Sequence, residues 1–130
     1  MATIEQPASL EEKLAECMDI DGAMAAAVID EMSGMALATV GKLNGGADID
    51  LAAAGNTEVM RAELKMLKHV GLGDDVEDIL ITLGEWYELL RPLTDASGKG
   101  MFVYVALDRR RANLALARIK LREVEAQLAL

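Results

Sequence analysis

Asp21-Gly-Ala-Met-Ala-Ala-Ala-Val-Ile-Asp-Glu-Met-Ser-Gly-Met-Ala-Leu-Ala-Thr-Val40 is the stretch on which the fold turns. Residues 23–30 can be read two ways. Their alanine content suits a helix. A short apolar run between Gly22 and the turn signal Ser33-Gly34 suits a buried strand instead. A second apolar run, Met35 to Val40, follows that turn at once. Two short apolar runs around a tight glycine turn fit a hairpin better than a broken helix.

Upstream, Ser9-Leu-Glu-Glu12 fits a capping box, with Ser9 as N-cap and Glu12 reaching back. Leu10, Leu14, Cys17 and Met18 then form one helical stripe, which Asp19-Ile-Asp-Gly22 ends. Residues 1–8 read as a tail and residues 9–130 as a single domain.

Downstream, Asp48 or Asp50 can cap a second helix that runs to about Lys68 or His69 and stops at Gly71-Leu-Gly73. Glu58, Arg61, Lys65 and Lys68 make its solvated stripe, and most of the rest is apolar. An apolar arc that wide implies two buried sides. Three strands follow, Val76–Thr82, Trp86–Leu93 and Met101–Leu107, with the last two separated by the turn Asp95 to Gly100. Pro92 sits near a strand end, where its missing N–H is tolerated. Asp108 can cap a final helix whose seam is Leu114, Ala117, Leu121, Val124 and Leu128. The order is α-β-β-α-β-β-β-α. Its hairpin and meander imply an α+β fold, an antiparallel sheet with helices on its faces.

The chain has 130 residues, enough for one domain with a real core. Aromatics are only 3%, so that core is aliphatic, alanine and methionine. A formal net charge of -9 repels phosphate backbones and anionic lipids, so nucleic acid and membrane surfaces are poor partners. No apolar segment approaches the length of a membrane span, and residues 1–7 do not resemble a signal peptide. With a single cysteine, Cys17, and hence no intrachain disulfide, these features lead us to expect a cytoplasmic protein.

No motif carries catalysis. His69 has no nearby histidine or cysteine with which to share a metal, and a histidine ending a helix is favoured by the dipole alone. Cys17 lies on an apolar stripe and reads as a buried, inert thiol. Gly41-Lys42 and Gly98-Lys99-Gly100 lack the spacing of a phosphate loop. Asp74, Asp75, Glu77 and Asp78 lack the alternating ligands of a calcium loop and read as a solvated acidic face or a patch for a basic partner. No enzyme and no cofactor is expected. Arg109-Arg110-Arg111 opens the last helix, where cations oppose the dipole. It is either a solvated helix start or an anchor for an acidic segment of a partner. Trp86 and Tyr87 alternate along a strand, so one of them is a candidate contact.

Three segments resemble the Roadblock/dynein light chain family: the Asp21-Gly hairpin quoted above, the long helix after Asp48, and Met101 to Leu107 followed by Asn113-Leu-Ala-Leu-Ala-Arg-Ile. The resemblance covers roughly residues 10–128. It implies a five-stranded antiparallel sheet, with the long helix on one face and the other two on the opposite face. It also implies a homodimer or heterodimer made by the long helix and the third strand, and we expect a homodimer with Met60, Leu64, Leu67, Ile79 and Ile81 in the interface. Bacterial relatives suggest a small Ras-like GTPase as partner, and Trp86, Arg109, Arg110 and Arg111 are candidate contacts. Other members suggest a light-chain scaffold subunit. A small-molecule-sensing domain is the further alternative, since an alanine-rich hairpin could leave space over the sheet.

Overall fold

Residues 9–73, 75–93 and 100–128 are described by the computed structural model. Helix α1 spans Leu10–Leu14, β1 Ala23–Asp30, β2 Ala36–Gly41, α2 Ile49–Val70, β3 Ile79–Thr82, β4 Trp86–Pro92, β5 Met101–Asp108 and α3 Leu114–Leu128. The stretch 23–30 is therefore a strand. The five strands form one antiparallel sheet in the order β2-β1-β5-β4-β3. Two cores sandwich it. Ala26, Val28, Val103 and Val105 meet α1 and α3 on one face. Ala25, Ala27, Ile29, Phe102 and Tyr104 meet α2 on the other. That alternation is the period of two expected of a strand buried on both sides.

Ser9 Oγ accepts the Glu12 N–H at 3.1 Å, so Ser9 is the N-cap of α1. Helix α1 is nonetheless shorter than the stripe suggested. From Ala15 to Asp19 the chain tightens into a 3-10 helix. Positions three apart eclipse in that geometry. Leu14, Cys17 and Ile20 consequently line up in the core, and Met18 turns outward.

The last helix begins later than expected. Asn113, not Asp108, caps α3, its Oδ1 accepting the Leu116 N–H at 3.1 Å. Asp108 instead holds a turn, in which its Oδ1 accepts the Arg110 N–H at 3.0 Å and its carbonyl accepts from Arg111 and Ala112. Arg109 to Arg111 thus stand in a loop between β5 and α3, free of the helix dipole.

Gly22 is what allows this turn to close on β1. Its φ is +85°, and a Cβ there would lie 2.9 Å from the Asp108 carbonyl oxygen and 3.0 Å from the Ala112 nitrogen. Gly22→Ala therefore meets both the left-handed backbone cost and a backbone clash. It should lower stability by at least about 2 kcal/mol, measured by urea denaturation. A loss below half that would mean the turn yields freely.

Of the acidic residues before β3, Asp78 is structural, whereas Glu77 is largely exposed. Asp78 accepts two hydrogen bonds from Arg118, at 2.8 and 3.0 Å. Glu77 lies 4.0 Å from both Arg91 and Arg122. Asp74 and the turn at 95–99 lie outside the described residues.

Candidate functional site

Helix α2 faces the sheet with Ala53, Asn56, Thr57 and Met60, and its N-cap is Asp48, whose Oδ1 accepts the Asp50 N–H at 2.8 Å. Met60 is fully buried in its own core, so it has no surface to offer a partner, and that expectation is corrected. Leu64, Ile79 and Ile81 are half-buried and pack against the same core, and Leu67 is also half-buried. What faces outward is a different row: Leu51 (71% exposed), Val59 (39%), Met66 (42%) and Val70 (60%). With Gly55 and Ala62, also exposed, they recur every three or four residues along the helix. This is the second apolar side that the sequence implied.

The row continues into a groove of about 490 Å³ between α2 and β4, walled by Leu43, Leu51, Val59 and Trp86. Asn56 and Glu88 make its polar floor, with Asn56 Nδ2 donating to Glu88 Oε2 at 2.8 Å and to the Ala52 carbonyl at 2.9 Å. Beneath them lies Tyr104, whose hydroxyl makes no hydrogen bond of good geometry among the described residues. Burial, and then the Glu88 charge, push its pKa above the usual tyrosine value, so it stays protonated. Trp86 belongs to the α2 side of the sheet and Tyr87 to the other. Strand β3 is an edge strand, next to β4 alone.

At the far end of β5, Arg109 is tied down. Its Nη1 donates to the Leu83 carbonyl at 2.7 Å and the Gly84 carbonyl at 3.3 Å, and its guanidinium lies 5.3 Å from the centre of the Tyr87 ring. Arg110 and Arg111 are exposed. A cleft of about 390 Å³ opens here, lined by Gly84, Glu85, Tyr87, Arg109 and Arg110. The sequence therefore pointed to two separate places: Trp86 stands with α2, and the arginines stand at a strand end.

At the opposite end of the hairpin, Arg61 Nη2 donates to the Glu31 and Met32 carbonyls and pins the β1–β2 turn to α2. Met32 and Met35 are exposed on that turn. His69 is exposed in the last turn of α2. Among the described residues no cluster of three or more histidine, cysteine or acidic side chains could hold a metal ion. Likewise, no helix among them is long and apolar enough to cross a membrane.

Cys17 is fully buried, and burial, then the charge of Glu16, pushes its thiol up to about 12. Because the thiolate is the reactive form, it should resist a disulfide reagent at pH 8 in the folded protein and react at once in denaturant. Fast labelling of the native protein would show that the 3-10 segment Ala15–Asp19 opens readily.

The fold is that of a Roadblock domain. The Roadblock/LC7 domain from Streptomyces avermitilis superposes with a TM-score of 0.75 at 14% identity, over 93% of this chain and 95% of that one. Myxococcus xanthus MglB matches with a TM-score of 0.78 at 14% identity, over 96% and 95%. The gliding protein MglB of Thermus thermophilus gives 0.74 at 17% identity, over 99% and 95%. No protein-family profile and no curated protein sequence matches the chain. The likeness therefore lies in the fold.

Proposed function

We propose that this chain is a non-catalytic, homodimeric interaction module that regulates or scaffolds a small Ras-like GTPase in the cytoplasm. The observation that carries the reading is the outer row of α2, Leu51, Val59, Met66 and Val70, which lies exposed on a long helix, in a domain whose sheet ends in the edge strand β3. A contiguous apolar surface of this kind marks a protein interface. An apolar edge strand is a liability unless something pairs with it. A second copy meets both needs, its α2 against α2 and its β3 along β3, with Leu64, Leu67, Ile79 and Ile81 at the margin. The GTPase is the partner that the Roadblock resemblance suggests. Trp86 and Arg109 to Arg111 are the contacts it would use.

Affinity purification from native lysate, in parallel with GDP and a non-hydrolysable GTP analogue, tests this. A small GTPase enriched in one nucleotide state supports the regulator. Recovery of a large complex without a GTPase would favour the light-chain scaffold. The small-molecule sensor has less support, because Ala25, Ala26 and Ala27 of β1 are fully buried and leave no space over that strand.

A further inference from the structure

We propose that the cleft between the β3–β4 turn and the β5–α3 turn is a binding site for a short acidic segment of a partner protein, held through its side-chain carboxylates. The proposal rests on the reading of Arg109 to Arg111 as a partner contact and specifies what they contact.

Charge comes first. On a chain of net charge -9, three consecutive guanidiniums at Arg109, Arg110 and Arg111 stand together on one exposed turn. Two carboxylates belong to the turn and the lining of its cleft, and Asp21 precedes the glycine that packs on the turn. Asp108 is occupied by the backbone of its own turn, which holds its carboxyl below the usual range. Glu85 stands exposed on the rim.

Geometry comes second. Among the described residues, the groups that orient Arg109 are neutral: the Leu83 and Gly84 carbonyls, and the Tyr87 ring. They fix the guanidinium without cancelling its charge. A cation held this way loses little freedom when it binds, which is where a planar fork gains over a flexible ammonium. Arg110 complements it. Its side chain is 88% exposed and its Nε sits 3.5 Å from Asp108 Oδ1, a long contact that leaves it free to turn into the cleft. A fixed guanidinium and a movable one, both lining the same cleft, suit carboxylates, which pair with arginine in a two-pronged fashion.

The remaining charge narrows the ligand. Screening extends about 8 Å at physiological salt. An acidic stretch of a few residues feels mainly the arginines, whereas an extended polyanion runs on over an acidic surface. The cleft's volume of about 390 Å³ likewise suits a short segment, being near the lower end of the roughly 300–1,000 Å³ seen for ligand pockets.

Fluorescein-labelled hexaglutamate and hexaglutamine, titrated with the full chain and read by fluorescence anisotropy, test the site. We expect saturable binding of hexaglutamate alone, weakened about tenfold or more by Arg110→Glu and lost in high salt. Arg110 is exposed and outside both cores, so that variant should keep the wild-type melting temperature. No saturable binding, equal binding of hexaglutamine, or an unchanged affinity in Arg110→Glu would overturn the proposal. Inorganic phosphate at matched ionic strength should not displace the peptide at equimolar concentration. Displacement would make the cleft a phosphate site and end the carboxylate assignment. Because no GTPase is in the cuvette, a flat titration leaves the GTPase reading intact, and a purification without a GTPase leaves this one intact.

Discussion

Met66→Asp should turn a dimer of about twice 13.9 kDa into a monomer at micromolar concentration, with the fold unchanged. Val59→Asp should do the same. Both side chains are more than a third exposed in the single chain, so neither change opens a cavity in a core. Across a twofold axis each substitution is buried twice. An unpaired carboxylate sealed in an apolar contact costs several kcal/mol, and every 1.4 kcal/mol is about tenfold in affinity. Together these weaken association by more than about a thousandfold. Light scattering gives the mass, and circular dichroism shows whether the helices persist.

Two controls separate this surface from the others. Met60→Asp, one position along the chain from Val59, should unfold the protein, because Met60 is fully buried. Leu116→Asp, on the exposed side of α3 and in the opposite layer, should leave the dimer intact. A Met66→Asp protein that still runs as a dimer would place the interface away from α2. A wild-type mass near 13.9 kDa would remove the dimer altogether.

Met60 and Met66 also show where a sequence stops speaking. The breadth of the apolar arc on α2 was legible, and so was its consequence, a second buried side. Which edge of the arc turns inward was not, because that depends on how the helix lies across β1 and β2, and no periodicity carries that angle. The strand at 23–30 was legible despite its alanines, since the glycine turn after it outweighed local propensity. Met18 was misplaced for a different reason. A change from 3.6 to 3.0 residues per turn moves a side chain off its face without any signal in composition. Asp108 and Asn113 are both good caps, and only the close approach of Gly22 to Asp108 and Ala112 decides between them. The arginine turn was visible as charge. Its cleft was not, because it is assembled from the β3–β4 turn and Tyr87, more than twenty residues away in sequence.

Glu125→Ala should lower stability by about 3 kcal/mol, or roughly 10 °C in melting temperature. Arg91 comes from β4 and is almost wholly buried, and its Nε donates to Glu125 Oε2 of α3 at 2.9 Å. Taking the carboxylate away leaves a guanidinium in the core. Losses of about 3–5 kcal/mol are usual when one member of a buried pair is removed. The lower end applies here because Glu77, 4.0 Å from Arg91 and largely exposed, can swing closer. The double variant Arg91→Leu/Glu125→Leu should recover most of that loss, since two apolar side chains bring no unpaired charge inside. If Glu125→Ala behaved like Glu123→Ala, a surface change worth less than about 0.5 kcal/mol, the pair would be solvated in solution. The pair matters beyond stability. Together with Arg118 and Asp78 it fastens the start of β3 to α3. That strand is one of the two edges of the sheet, so loosening its start should weaken any partner that pairs along it, and Glu125→Ala should raise the dimer dissociation constant even at temperatures where the domain stays folded.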